Sequence, residues 1–112
     1  MNAMTLIVED DGGALGLYKY ALKDEAVYAR DIQEAYMMYA QYKPNVIIVD
    51  FNLKGETSLD FIQYVKADNA NAKIFMVTAY PVDIALKYLK SPVDHIYLKP
   101  ITMQLMKSLA HA

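Results

Sequence analysis

Four short apolar runs with no polar break constrain this chain more than anything else in it: Leu6–Val8, Val46–Val49, Ile74–Val77 and the weaker Ile96–Leu98. A strand with one face in water alternates apolar and polar residues. These runs do not alternate, and they are rich in Val and Ile. They read as strands covered on both faces, the environment of a parallel sheet. Ala26–Ala29 is a fifth candidate, at an edge. Between the runs, apolar residues recur at helical spacing. Leu15, Tyr18 and Leu22 make one stripe, and Ile32, Tyr36, Tyr39 and Ala40 make another that ends near Pro44. Leu59, Phe61, Ile62 and Val65 make a third, with Thr57 or Ser58 as its N-cap. Pro81 precedes a helix over Val82–Lys90 that Pro92 closes, and Thr102 caps a last helix over Met103–Ala110. Five alternations of strand and helix predict an α/β sheet with helices on both faces.

The chain has 112 residues, 55% of them apolar, which suits one domain, 1–112, with a real core. Met1-Asn2-Ala3 stand ahead of a second methionine, Met4; they are either native or a cloning remnant and carry no role. The chain holds no Cys, which excludes a disulfide framework, a thiolate nucleophile and a Cys-based zinc site. A formal charge of −2 offers no broad basic face, so no nucleic-acid partner is expected. No apolar run approaches the roughly 18–20 residues of a membrane span. There is no secretory signal pattern, and a cytoplasmic location is the expectation. Ten Tyr, most of them on helices, are expected to pack with rings half buried and hydroxyls in water.

Each run ends on a residue with useful chemistry: Glu9-Asp10-Asp11, Asp50, Thr78 and Lys99. In an open parallel sheet, ligands bind at the carboxyl ends of the strands. Order and spacing alone therefore bring several carboxylates, one hydroxyl and one ammonium to a single edge. Carboxylates crowded there repel one another, and a hard divalent cation relieves the repulsion; Mg²⁺ suits few carboxylates and several waters. One carboxylate can then attack phosphorus, while the metal and Lys99 neutralise the phosphoryl oxygens and Thr78 hydrogen-bonds one of them. Any single one of these residues could equally be a plain strand terminus or, for the acidic triplet, a helix N-cap. Their conjunction carries the argument.

The set resembles the receiver domain of two-component response regulators, over essentially the whole chain. The matching segments are Leu6–Asp11, Val49-Asp50, Val77-Thr78-Ala79 and Leu98-Lys99-Pro100, with Ala29, Ile32, Glu34 and Ala35 entering the second helix. The resemblance implies a flavodoxin-like, doubly wound, five-stranded parallel sheet of order 2-1-3-4-5. It makes Asp50 the phosphoacceptor, Glu9 and Asp10 the acidic pair that holds Mg²⁺, and Asn52 the donor of a backbone carbonyl to the metal. It makes Thr78 the switch hydroxyl and Lys99 the phosphate-contacting lysine, with a cis peptide before Pro100. The implied partners are a sensor histidine kinase or phosphotransfer protein and a downstream protein target. Tyr80, two residues past Thr78, is expected to screen the phosphorylated site from water.

The chain departs from the family pattern in several places. The span from Asp10 to Ala29 is short by about one helical turn, roughly 3–4 residues. Lys54 stands where the family often has Pro, and Ser58 where Gly is common. The aromatic switch position, three before the lysine, is Ile96, with Tyr97 beside it. Either the strand has slipped or the usual coupling between threonine and aromatic is absent. A phosphorylation-independent pseudo-receiver is therefore the alternative. An Asp-nucleophile phosphatase is a weaker one, since it wants a second Asp where Asn52 stands. Residues 50–55 mimic half an EF-hand loop but lack Glu at its twelfth position, where Phe61 stands. Only twelve residues follow Pro100, so output is expected to be a contact made by the domain itself. The fourth helix, fifth strand and fifth helix carry Lys87, Lys90, Lys99 and Lys107 against Asp83 and Asp94, a face suited to a target or a homodimer.

Overall fold

The structure is a computed structural model that describes residues 4–79 and 93–112. The expected helix at Val82–Lys90 and Tyr80 lie outside the described residues. The main-sheet strands are β1 (Thr5–Val8), β2 (Ala26–Ala29), β3 (Val46–Val49), β6 (Lys73–Thr78) and β7 (His95–Leu98). A two-stranded hairpin, β4 (Asn52–Leu53) and β5 (Glu56–Thr57), interrupts the chain after β3. Among the described residues, the α-helices are α1 (Gly12–Leu22), α2 (Ile32–Tyr42), α3 (Leu59–Asp68) and α4 (Met103–Ala110). All main-sheet pairings are parallel, in the order β2-β1-β3-β6-β7. Counted along the main sheet alone, this is the expected 2-1-3-4-5.

Alternation along each strand splits the core in two. Leu6, Val8, Ile47, Val49, Ile74 and Met76 face α2 and α3, where they meet Ala35, Tyr39, Phe61, Ile62 and Val65. Ile7, Val46, Ile48, Phe75 and Val77 face α1 and α4, where they meet Leu15, Tyr18, Leu22, Met106 and Leu109. Both faces being covered explains why the strands read as unbroken apolar runs. Helix ends follow from local chemistry. Asp11 accepts the Ala14 amide of α1 at 2.8 Å, Asp31 accepts the Glu34 amide of α2 at 2.8 Å, and Thr102 accepts the Leu105 amide of α4 at 3.0 Å. Ser58 does precede α3, but its hydroxyl makes no cap bond; it is fully buried, with no hydrogen-bond partner among the described residues. Lys43 ends α2 in the left-handed region at φ 45°.

The tyrosines divide more sharply than expected. Tyr18 and Tyr39 are buried, while Tyr20 is 70% exposed. Tyr39 reaches across from α2 to the end of α3, where its hydroxyl donates to Asp68 at 2.6 Å. Lys43 donates to the same carboxylate oxygen at 3.0 Å and lies over the Tyr39 ring. The Tyr39 hydroxyl, then Lys43, holds the Asp68 carboxyl below its ordinary range.

Two outcomes follow for stability. Gly16 sits inside α1, and a Cβ there meets nothing within 4 Å. Gly16→Ala should raise the unfolding free energy by about 0.5–1 kcal/mol in a urea titration, because only the helix entropy changes. A depressed Asp68 pKa adds stability above the unfolded carboxylate pKa and loses it as pH falls through the folded value. Asp68→Asn should therefore lower the melting temperature at pH 7, and the gap from the parent should close as the pH falls through the folded pKa of Asp68, below the ordinary carboxylate range.

Candidate functional site

The carboxyl ends of β1, β3, β6 and β7 bring the carboxylates, the hydroxyl and the ammonium to one edge, because the strands are in register. Val8 lies opposite Val49, Val49 opposite Met76, and Thr78 opposite Leu98. The residues that follow β1, β3 and β7 are still fixed by a sheet bond. The Glu9 amide donates to Ala29, the Asp50 amide to Val8 and the Lys99 amide to Thr78, at 3.0, 3.1 and 2.8 Å. Glu9 is 2% exposed and Asp50 8%, so their charges sit in a largely dry setting.

Lys99 joins them. Its Nζ lies 2.6 Å from Glu9 Oε1 and 2.8 Å from Asp50 Oδ2. Burial would lower the Lys99 pKa, but the hydrogen bonds to Asp50 and Glu9, with their charges, outweigh burial and leave it above its ordinary value. The Glu9 carboxyl is raised, chiefly by burial, with Lys99 and the Asp11 amide opposing. The peptide between Lys99 and Pro100 is cis, as expected.

Glu9, Asp10 and Asp50 each offer an oxygen, and these oxygens all lie within 4.8 Å of one another. An oxygen-only, multiply negative set of this kind fits a hard divalent cation. Asp11, the third acidic residue of the triplet, is taken up as the cap of α1. Asn52 enters the hairpin. Its side-chain oxygen accepts the Gly55 amide at 3.1 Å. The Ser58 amide bonds Phe51 O at 2.8 Å, which makes Asn52 and Thr57 the non-hydrogen-bonded pair of that ladder. The Asn52 carbonyl is thus directed away from β5.

Thr78 is fully buried at the end of β6. Two residues from Met76, it shares the α2/α3 side of the sheet. Ile96 packs on that same side, and Tyr97 packs on the α1/α4 side beside Phe75. The strand has not slipped to bring Tyr97 into the switch position. That position belongs to Ile96.

Tyr18 carried no functional expectation beyond packing. With Ala14 and Leu17 it walls a cleft of about 440 Å³ that opens on Lys99, closed opposite by Pro100, Ile101 and Met106. Burial, then the charges of Glu9 and Asp50, raises the Tyr18 hydroxyl pKa. Its place in an apolar helical stripe hid its nearness to the site. The hairpin has only a weak sequence signal, a glycine at Gly55 that suits the second position of a two-residue turn.

The response regulator receiver domain family matches residues 5–111. A cyclic di-GMP phosphodiesterase of Thermotoga maritima is 29% identical over 112 residues, which is 96% of this chain and 30% of that protein. The response regulator protein PilR of Pseudomonas aeruginosa is 27% identical over 108 residues, 93% of this chain and 24% of that protein. The chain therefore spans less than a third of either relative. A CheY-like response regulator receiver domain protein from Methanospirillum hungatei shares the fold, with a TM-score of 0.84 at 21% identity, over 99% of this chain and 93% of that one. With its parallel sheet in the order 2-1-3-4-5 and its acidic edge beside a half-buried lysine, the chain belongs to the response regulator receiver domain family of two-component systems.

Proposed function

We propose that this domain accepts a phosphoryl group on Asp50 from a sensor histidine kinase or phosphotransfer protein and passes the signal on by protein contact. The observation that carries the reading is the Lys99 ammonium, set between Asp50 Oδ2 and Glu9 Oε1 at 2.8 and 2.6 Å. An Asp50 oxygen attacks phosphorus, the P–N bond of the donor phosphohistidine breaks, and a P–O bond forms to give an acyl phosphate on Asp50. Lys99 stays charged and turns from the carboxylate to the new phosphoryl oxygens. Thr78, at the neighbouring strand end, is the hydroxyl assigned to one of them. Glu9, Asp10, Asp50 and the Asn52 carbonyl are the groups assigned to Mg²⁺, which when bound supplies further neutralisation of phosphoryl charge. Receiver domains meet kinases or phosphotransfer proteins and downstream targets as a family. For this chain, the cleft walled by Tyr18 and Met106 is the approach assigned to the donor. The exposed Leu98 and Met103 belong to the face assigned to a target or a second copy.

Ile96 favours a second reading. It shares the Thr78 side of the sheet, so the relay lacks its usual aromatic partner at that position. On this reading the domain binds its partner without phosphorylation.

A small acyl phosphate separates the two. With Mg²⁺ present, intact-mass spectrometry should show the gain of one phosphoryl group on the parent and none on Asp50→Asn. An unlabelled parent, or an equally labelled Asp50→Asn, would sink the first reading. Lys99→Met leaves Glu9 and Asp50 facing each other without a cation. It should lower stability in chelator by about 3 kcal/mol, and Mg²⁺ should recover more stability in this variant than in the parent. Differential scanning calorimetry with and without the metal measures both.

A further inference from the structure

The hairpin after Asp50 touches the acidic site in a way that the family's usual proline could not. Lys54 and Gly55 are its two turn residues, at φ 52° and 85°, the left-handed pair that a tight two-residue turn requires. Proline is locked near −65° and has no amide hydrogen. The Lys54 amide donates to Asp10 Oδ2 at 2.9 Å, across 44 positions of sequence. A second contact ties the hairpin to the body of the domain: Lys54 Nζ lies 4.0 Å from Asp31, the cap of α2. Within the hairpin, the Gly55 amide donates to the Asn52 side chain.

We infer that the Lys54 backbone amide is a positioning group for Asp10, fixing its carboxylate toward the cation that Glu9, Asp10 and Asp50 would share. The inference rests on reading that trio as a cation site, though not on phosphoryl transfer. A carboxylate has about four acceptor sites on its two oxygens, so one bond from Lys54 leaves most of them available. The bond removes rotational freedom that Asp10, the most exposed of the three, otherwise keeps. It also joins the ends of β1 and β3, so that Asp10 and the Asn52 carbonyl are held by one structure. Partners of this kind around metal ligands are typically worth 10–100-fold in affinity.

Magnesium affinity by calorimetric titration and the Lys54 amide resonance by NMR test the idea together. Lys54→Gly keeps the amide and suits a positive φ, so it should bind Mg²⁺ within about twofold of the parent. Lys54→Pro should bind about tenfold more weakly, and Lys54→Pro with Asp10→Ala should bind no more weakly than Asp10→Ala alone. In the Asp10→Ala protein the Lys54 amide should shift more than the β5 amides, a readout that does not depend on the proline variant folding. An unmoved Lys54 amide, or added loss in the double variant, would overturn the inference. A parent that binds Mg²⁺ but takes no phosphoryl group defeats the proposed function and leaves this inference standing. A parent that binds no Mg²⁺ defeats the inference itself.

Discussion

Everything at the functional edge depends on one electrostatic problem: two buried carboxylates, Glu9 and Asp50, end neighbouring strands. Sheet register makes their approach unavoidable, because Val8 and Val49 are paired and the following residues share the same exit. Left alone, such a pair would protonate or push apart. The ammonium of Lys99, delivered from β7 two strands away from β3, is the answer built into the chain. The sheet order matters for this reason. Only when β6 and β7 extend the sheet beside β3 does Lys99 reach the gap, and both helical layers are needed to keep those strands dry and aligned.

Much of this is legible in the sequence, for a physical reason. A strand buried on both faces has to be apolar at every position, so the runs at Leu6, Val46 and Ile74 announce themselves and their polar ends stand out. The conjunction of Glu9, Asp10, Asp50, Thr78 and Lys99 follows directly, and the structure gathers those strand ends along one edge. What stayed hidden depends on side-chain reach. Nothing local says that Tyr39 will find Asp68 at the end of another helix, or that Tyr18 will stand beside the carboxylates instead of merely filling the core. Both occupy apolar stripe positions that a Leu would also satisfy.

The hairpin and the fifth main strand show two further limits. Asn52–Thr57 carries no strand signal in the sequence, because two-residue strands have no periodicity to detect. Only the paired positive φ values and the Ser58 to Phe51 bond reveal a ladder. At Ile96 the sequence posed a choice between slippage and substitution. Pairing settled it, since Tyr97 opposite Val77 has to share the α1/α4 face. Ser58 is a plain departure: a buried hydroxyl with no partner among the described residues, where the family often has no side chain at all.

The two-sidedness of the sheet has a spatial consequence. The cleft beside Lys99 opens between α1 and α4, whereas Thr78 and Ile96 lie on the side of α2 and α3. Among the described residues, the sheet thus separates the cleft from the layer that Thr78 and Ile96 face, and the charged cluster at the strand ends lies on the boundary between the two.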